Sequence, residues 1–455
     1  MKKASLFLSR NDGSPWMAPQ KDIAFSPDVE TENQVINLYP DMRYQEFLGI
    51  GGAFTETSSS NFIQLSKKNQ AEVIKALFDP KDGIGLSFCR THIHSCDFTP
   101  DEYTYVEEND KDLSTFSIDH DRKSVIPFLK AALSTAGDRL YLFASPWSPP
   151  GWMKDNGEMP RGGRLLEEYY ATWADYMVKY FEEYKKEGIP FFGVTIQNEA
   201  KAVQTWESCV YTAEEEGIFA ANYLRPALDK AGFPDVRIMI WDHNKERIYD
   251  RARDTFAVPG AREAIWGIAY HWYSGDHYDA MRLVHDAFPE KPLLLTEFAL
   301  GVSRKSKTKL PHSGWNEVSQ YSAEMICDFN NHASSMTDWN IMSDLSGGPY
   351  HNRDSGAKTP IVVDPKNDSF TIEPLYYALG HFSRFIQRGA VRIGNSSYHP
   401  QLQATAFQNP NGELVLVVLN SAEEELDAYI RLEGDTSKYT FPAESLATFV
   451  IPAKA

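Results

Sequence analysis

Two glutamates stand where buried strands are predicted to end, and a pair of carboxylates can do acid–base and nucleophilic chemistry. Glu199 lies near the end of FFGVTIQNEA (residues 191–200), and Glu297 follows the apolar run of KPLLLTEFAL (residues 291–300). A continuous apolar run is typical of a parallel strand that is covered on both faces. Carboxylates at the carboxyl ends of such strands meet at the mouth of an α/β barrel, so we expect both glutamates to face one pocket.

Cleavage of a glycosidic bond is the chemistry that fits such a pair. A retaining glycosidase uses one carboxylate as nucleophile and one protonated carboxyl group to assist the leaving oxygen, with the two about 5 Å apart. Their surroundings must differ so that their pKa values separate. The alternative for the two glutamates is a pair of buried salt bridges. Asn198, beside Glu199, could donate to a sugar hydroxyl or could cap a turn at the strand end.

Aromatic residues follow three of the other predicted strands. Trp147 lies in the Pro-rich loop SPWSPPGWMK, His271 and Tyr273 lie in HWYSG, and Trp339 lies in TDWN. Each could pack in a core or a loop. Because all are predicted at the same end of a barrel, we favour a pocket in which the tryptophans form walls and a floor for a sugar ring.

A metal-dependent hydrolase is a competing interpretation. His92 and His94 form a His-x-His pair after the second predicted strand, and such pairs bind metals in barrel hydrolases. The remaining ligands would have to come from Asp242, His243 or His271. We favour chemistry that needs no metal and no organic cofactor, with activity that EDTA leaves unchanged.

Eight apolar runs alternate with helical patterns from about residue 46 onward. The predicted strands are 47–53, 84–90, 140–145, 191–197, 236–242, 266–272, 293–297 and 336–342. The predicted helices are 66–78, 164–187, 212–231, 276–288, 314–332 and 373–387. This order predicts an α/β fold, a (β/α)₈ TIM barrel over residues 46–388, rather than a doubly wound open sheet. Residues 1–45 and 389–455 carry short alternating runs, which predict an antiparallel β-sandwich side domain formed from both termini.

The composition narrows the classes of partner. The net charge of −18 argues against nucleic acid and anionic membranes, and a small neutral carbohydrate fits it without difficulty. The chain has 4 cysteines, too few for a disulfide framework at this length. The first apolar run is too short for a secretory leader, so we expect a cytoplasmic protein. The sequence does not indicate an oligomeric state.

Nine ordered motifs together resemble glycoside hydrolase family 30, and most closely its glucosylceramidase-like branch. They are LGIGGAFTETSSSN, SCDFTPDEYTYVEEND, ASPWSPPGWMK, TIQNEA, GIAYHWY, LLLTEFA, MTDWN, GGPYHNRDSGAKTPIVVD and EPLYYALGHFSRFI, between about residues 47 and 386. The resemblance implies a barrel with a side β-sandwich and a retaining mechanism. It implies that Glu199 is the acid/base, that Glu297 is the nucleophile and that Arg90 supports the catalytic carboxylates. The residues that it implies around the sugar and the leaving group are Asn198, His271, Tyr273, Trp339, Trp147 and Trp206.

Three positions depart from the pattern of that branch. Glu56 and Asp354 stand where the family commonly has Asp and Asn, and both are expected near the distal hydroxyls of the sugar. Ala200 replaces the usual proline after the Asn-Glu pair. We therefore expect a retaining, exo-acting β-glycosidase for small neutral β-glycosides, without commitment to glucose or ceramide. The alternatives are an endo-acting family 30 hydrolase of β-1,6-glucan or xylan, and a non-catalytic sugar-binding protein on the same scaffold.

Overall fold

Strands and helices alternate through the middle of the chain, and strands alone occupy both ends. The computed structural model describes residues 2–301, 312–353 and 356–453. The strands are β1 (Lys3–Arg10), β2 (Ala18–Ala24), β3 (Ser26–Pro27), β4 (Val35–Glu46), β5 (Gly49–Phe54), β6 (Phe88–Ile93), β7 (Tyr141–Pro146), β8 (Gly193–Thr195), β9 (Arg237–Asn244), β10 (Ile265–His271), β11 (Leu293–Phe298), β12 (Ala333–Asn340), β13 (Met342–Asp344), β14 (Ile361–Asp364), β15 (Ser369–Ile372), β16 (Val391–Ser396), β17 (Leu402–Gln408), β18 (Leu414–Asn420), β19 (Leu426–Leu432), β20 (Asp435–Phe441) and β21 (Ser445–Ile451). The α-helices are α1 (Glu56–Gln64), α2 (Lys67–Phe78), α3 (Val125–Ala136), α4 (Tyr170–Lys186), α5 (Ala213–Ile218), α6 (Arg225–Lys230), α7 (Ile248–Phe256), α8 (Ala261–Ala264), α9 (Tyr278–Ala287), α10 (Trp315–Asn330) and α11 (Pro374–Ser383).

The strands β5 to β12 close into one barrel in sequence order, and every neighbouring pair is parallel. Every residue of β5, β6, β11 and β12 is buried, as their continuous apolar runs predict. The predicted (β/α)₈ barrel is confirmed. β8 spans only three residues, so Glu199 lies in the turn beyond it.

The barrel interior is filled with apolar side chains away from its carboxyl end. Phe88, Phe143 and Leu294 belong to one buried cluster with three further residues, Phe192, Met239 and Ala269. Trp147 and Trp339 belong to a separate cluster with Phe98. The interior is therefore a packed core with polar chemistry confined to the strand ends.

The predicted helices are found, with shifted limits. α2 starts after the N-cap Ser66, and α5 starts with the capping box of Thr212 and Glu215 and continues through a π-helical turn into α6. α4 begins at Tyr170 instead of residue 164, because Leu165 pairs as an isolated β-bridge with Lys154. The helices α1, α3, α7 and α8 were not predicted, since their patterns are short or lack a clear cap.

The two ends of the chain build the β-sandwich together. Its strand order is β2-β1-β21-β18-β17-β16-β4-β19-β20-β3, so that β1 and β21 are neighbours and pair antiparallel. The side domain from both termini is thus confirmed, with one exception to its antiparallel pattern: β4 and β19 pair in parallel. The exact domain limits at residues 46 and 388 stay a prediction. A separate small sheet has the order β13-β14-β15.

The helices of the described ranges are all too short or too polar to cross a lipid bilayer.

Candidate active site

A cavity of about 300 Å³ lies at the carboxyl ends of the barrel strands, and both glutamates line it. Glu199 reaches it from the turn after β8 and Glu297 from β11. The other lining residues are Asp97, Phe98, Trp147, Asn198, Gln204, Trp206, His243, Asn244, Tyr273, Ala299, Gly301, Trp339, Arg353, Gly356 and Ala357. The structure therefore brings together carboxylates, amides and aromatic rings, which is the composition of a site for a polar, ring-shaped ligand.

Glu297 is held by two hydrogen-bond donors. Arg90 Nη1 donates to Oε2 at 2.7 Å, and the Tyr273 hydroxyl donates to Oε1 at 2.9 Å. The pairing of β11 with both neighbouring strands is irregular at this point, and such irregularities re-aim a side chain. Burial raises the pKa of Glu297 above its ordinary value, against the charges of His271 and Arg90.

Arg90 lies beneath the cavity, fully buried on β6, and contacts groups at the ends of four other strands, including Glu297 on β11. Its Nη2 donates to Asn198 Oδ1 at 2.9 Å and to Asp242 Oδ2 at 2.7 Å, and its Nε donates to Ser145 Oγ at 3.0 Å. Its guanidinium also lies 4.7 Å from the ring centre of Trp147. Asp242 and Glu297 therefore share one buried, positively charged partner.

Glu199 is held differently, by backbone conformation and by imidazoles at a distance. Its φ of +47° lies in the left-handed region, and its backbone N–H donates to the Asp242 carbonyl at 2.8 Å. Residues held in this region cluster at functional sites. His271 Nδ1 and His243 Nδ1 lie 3.7 and 3.8 Å from Glu199 Oε1. Although burial opposes ionisation, interaction with His271 and the charge of His243 lower the pKa of Glu199.

His271 does not line the cavity but lies buried directly behind Glu199. Its Nε2 lies 3.0 Å from Asp242 Oδ1. Although burial favours a neutral ring, the charge of Glu297 and the hydrogen bond to Asp242 raise the pKa of His271 to about 9. The Asp242 carboxylate itself has a pKa well below its ordinary value, because Arg90 and His271 outweigh the cost of burial.

Most of the other sequence-predicted residues meet at the cavity. Trp147 and Trp339 stack with ring centres 5.1 Å apart and planes 27° apart. Asn198, Trp206 and Tyr273 line the same cavity. The aromatic residues expected from the loop motifs therefore lie around one cavity.

Several lining residues were not singled out from the sequence. Asp97 and Phe98 come from the SCDFTP stretch, and Arg353 comes from GGPYHNRDSG, so the motifs contained them without showing their direction. Arg353 forms an ion pair with Asp97, and its guanidinium lies 4.4 Å from the ring centre of Phe98 and 5.2 Å from that of Trp206. Asp242 was considered only as a metal ligand, and its place after a buried strand was the signal that could have found it.

Two predicted sugar contacts, Glu56 and Asp354, are not among the described residues that line the cavity. Glu56 opens α1 and lies outside the cavity, with its carboxylate oxygens 2.9 and 3.0 Å from His120 Nε2. The carboxylate is engaged by His120 and does not line the cavity, so the structure gives its predicted role no support. Asp354 lies outside the described residues.

The His-x-His pair is occupied by other interactions. His94 Nδ1 lies 2.7 Å from the Tyr176 hydroxyl and its Nε2 lies 2.6 Å from the Ser148 carbonyl oxygen. His92 Nε2 accepts from the Glu56 backbone N–H at 3.0 Å. In residues 2–301, 312–353 and 356–453 no group of three or more His, Cys, Asp and Glu residues is arranged to hold a metal. Both histidines of the pair are therefore engaged by protein groups.

Comparison with solved structures and curated proteins gives consistent relatives. SrfJ from Salmonella typhimurium is 33% identical, with a TM-score of 0.94 over 99% of this chain and 100% of that one. The lysosomal acid glucosylceramidase of Mus musculus is 32% identical over 86% of this chain and 78% of the mouse protein. An endo-1,6-beta-D-glucanase of Trichoderma harzianum is 26% identical over 94% of this chain and 88% of the fungal protein.

Family models cover nearly the whole chain. The glycosyl hydrolase family 30 TIM-barrel domain matches residues 47–386, and the beta sandwich domain of the same family matches residues 389–449. The resemblance stated from the motifs is confirmed, and a hydrolase is confirmed over a non-catalytic sugar-binding protein. With this barrel, this sandwich and these relatives, the chain belongs to glycosyl hydrolase family 30.

Proposed function

We propose that this chain is a retaining, exo-acting β-glycosidase that hydrolyses small neutral β-glycosides. Glu297 is the nucleophile and Glu199 is the acid/base. The observation that carries the proposal is the unequal surroundings of two carboxylates on one cavity. Glu297 receives hydrogen bonds from Arg90 and Tyr273 at 2.7 and 2.9 Å, whereas the imidazole nitrogens nearest to Glu199 lie 3.7 and 3.8 Å away.

The reaction runs in two displacements. Glu297 attacks the anomeric carbon while Glu199 gives its proton to the leaving oxygen, and a glycosyl-enzyme ester forms. Glu199 then takes a proton from water, which attacks the same carbon and releases the sugar with its original configuration. Asn198 lies beside the reacting carboxylates and is placed to donate to a hydroxyl of the bound ring.

The proton on Glu199 needs a source, because interaction with His271 and the charge of His243 hold the pKa of Glu199 below its ordinary value, while the pKa of His271 is raised to about 9. His271 Nδ1 faces Glu199 Oε1 at 3.7 Å and has no other hydrogen-bond partner among the described residues. Movement of one proton from His271 to Glu199 makes the neutral acid without changing the total charge of the pair. A leaving oxygen bound beside Glu199 favours that transfer, because it accepts a hydrogen bond from the acid form.

The size and walls of the cavity support exo action on a small sugar. Its volume of about 300 Å³ is at the lower end of the range of ligand pockets, about 300–1,000 Å³. Trp147, Trp206 and Trp339 line it together with Arg353. Arg353, which lines the cavity, is paired with Asp97.

A panel of nitrophenyl β-glucoside, β-xyloside, β-fucoside and β-galactoside tests the proposal. We expect rapid release of nitrophenol from at least one of them, and ¹H NMR at early times shows the β-anomer of the free sugar. Initial release of the α-anomer, or hydrolysis that survives Glu297→Gln, would contradict the retaining mechanism. A cytoplasmic location stays part of the proposal, and fractionation of the source cells tests it.

Endo cleavage of β-1,6-glucan is the second candidate, because relatives carry that name. The fungal protein above and an endo-beta1,6-glucanase structure, 25% identical with a TM-score of 0.87, are both so described. Incubation with β-1,6-glucan separates the two modes. Exo action releases monosaccharide from the start, whereas endo action first produces a ladder of oligosaccharides and a rapid fall in viscosity.

A further inference from the structure

One wall of the cavity is formed by a loop that lies across two barrel loops. This rim loop, residues 347–353, supplies Arg353 to the cavity. The His351 backbone N–H donates to the Asp97 carbonyl at 3.0 Å, in the loop after β6. The Thr205 hydroxyl, in the loop after β8 that also carries Glu199, donates to the Asn352 carbonyl at 2.5 Å. The rim loop therefore connects the two sides of the cavity mouth.

The side chain of His351 bridges the same two loops. Its Nδ1 lies 2.7 Å from the Thr99 carbonyl oxygen, and its Nε2 lies 3.0 Å from Glu207 Oε2. A carbonyl oxygen and a carboxylate can only accept hydrogen bonds. With Glu207 ionised, both ring nitrogens carry hydrogen, and the ring is an imidazolium.

The surroundings of His351 support this charge state. The Glu207 side chain is fully buried and that of His351 is 12% exposed, so each needs the other as a partner. Asp97 and Glu102 add negative charge nearby, and Arg353, paired with Asp97, adds positive charge on the same loop. Although burial favours the neutral ring, the hydrogen bond and charge of Glu207 raise the pKa of His351 to about 9.

We propose that His351 is a charged positioning residue that fastens the rim loop between the loops after β6 and β8 and so sets how tightly the sugar is bound. The inference rests on the proposed function, because it assigns the sugar to this cavity. His351 itself does not line the cavity and takes no part in bond breaking. Loss of its charge frees the rim loop on one side, so substrate affinity falls while the chemistry of Glu199 and Glu297 is unchanged.

The charge state can be measured without substrate. In ¹H–¹⁵N spectra of the full chain labelled with ¹⁵N-histidine, we expect two rings with both nitrogens protonated at pH 7, those of His271 and His351, and titration of the His351 signal near pH 9. His351→Gln identifies this signal by its disappearance, among 12 histidines. A His351 ring with a single N–H at pH 7 would overturn the inference, because Glu207 would then carry the proton.

The positioning role is measured by kinetics on the fastest-cleaved nitrophenyl glycoside. For His351→Gln we expect KM at pH 7 to rise about tenfold, the cost of a lost charged hydrogen bond, with kcat within about twofold. Wild-type KM rises on the alkaline side and this rise is absent in the variant, whereas any alkaline change in kcat that belongs to His271 remains. His399→Gln, in a half-buried histidine of the side domain, is the matched control and leaves both constants unchanged.

A second variant tests the same role independently of whether His351→Gln folds. Glu207→Gln keeps the shape of the bridge and removes the counter-charge, so the pKa of His351 falls and the alkaline rise in KM moves to lower pH. An unchanged KM profile in both variants, or an equal loss of kcat, would reject the positioning role. Failure of the proposed function is a separate result, namely no hydrolysis of any glycoside by the wild-type chain while the histidine spectrum is as expected.

Discussion

The floor and the rim of the cavity are built on different principles. The floor stands on strand ends: Arg90 on β6 and Asp242 on β9 are fully buried and pair at 2.7 Å, and Glu297 on β11 joins them. The rim is formed by loops. His351 pairs with Glu207, Arg353 pairs with Asp97, and the guanidinium of Arg353 lies against Trp206. Strands hold reacting groups within a narrow range of positions, whereas loops can vary without loss of the fold.

The two regions also differ in where their charged groups lie. Each region has one guanidinium and one imidazolium, but Arg90 and His271 of the floor lie beside the reacting glutamates, whereas Arg353 and His351 of the rim pair with Asp97 and Glu207. Changes in the floor should therefore act on kcat and on stability, and changes in the rim should act on KM. Experiments that violate this division would break the comparison.

The largest expected effect is the loss of the nucleophile. Glu297→Gln removes the attacking oxygen but keeps the volume and one hydrogen bond each with Arg90 and Tyr273. Removal of a nucleophile costs on the order of 10⁴-fold or more in kcat. Steady-state assays measure the loss, and thermal unfolding checks that the fold remains. Residual kcat above about 1% of wild type would exclude Glu297 as the nucleophile.

The second-largest expected effect on activity is that of replacing the acid/base Glu199. Glu199→Gln removes a proton donor that contributes on the order of 10²–10⁴-fold, and the loss depends on how much help the leaving group needs. We expect a severe fall for alkyl glycosides and a much smaller one for dinitrophenyl glycosides, whose leaving oxygen needs no proton. Comparison of kcat/KM across leaving groups tests this. Equal losses on both types would remove the assigned role.

Changes in the floor should also alter the free energy of unfolding. Asp242→Asn removes the buried counter-charge that Arg90 and His271 share, leaves Arg90 with Glu297 as its one carboxylate partner among the described residues, and should lower the free energy of unfolding at pH 7 by about 3–5 kcal/mol. The folded pKa of Asp242 lies below its ordinary value, so its contribution is present above about pH 4 and is lost as the pH falls through the folded pKa. In urea titrations the difference between wild type and variant should therefore shrink below about pH 4. Asp427→Asn, at an exposed pair with Lys438, is the control and should change stability far less.

The rim prediction concerns the stacked arginine. Arg353→Lys keeps the charge beside Asp97 but loses the flat guanidinium that lies against Phe98 and Trp206. We expect KM to rise about fivefold to tenfold with kcat nearly constant, since cation–π contacts contribute about 0.5–2 kcal/mol. Measurement of KM and kcat for the wild type and the variant tests this prediction. A fall in kcat larger than the rise in KM would place Arg353 in the floor rather than the rim.

The division between floor and rim also explains what could be predicted from the sequence. Arg90 and Glu297 lie on buried strands and Glu199 follows one, and a closed barrel brings all strand ends together, so their meeting follows from the pattern. The contact between His351 and Glu207 joins residues 144 apart in loops without periodicity, and no local pattern indicates it. The sequence motifs identified the family, but they could not show which carboxylate of a motif turns inward.

The smallest expected kinetic effect is that of a change at Glu56, and comparison with Asp97 tests which of the two carboxylates faces the cavity. The sequence reading placed Glu56 at the sugar, but Thr55 caps α1 and the carboxylate faces His120, while Asp97 lines the cavity. Glu56→Gln keeps a hydrogen bond to His120, so kcat/KM should stay within about twofold, a change of about 0.4 kcal/mol. Asp97→Asn, which removes a charge from the cavity itself, is the matched comparison and should raise KM more. A larger effect of the Glu56 change would show that its carboxylate turns into the cavity when sugar binds, and the rim would then include the start of α1.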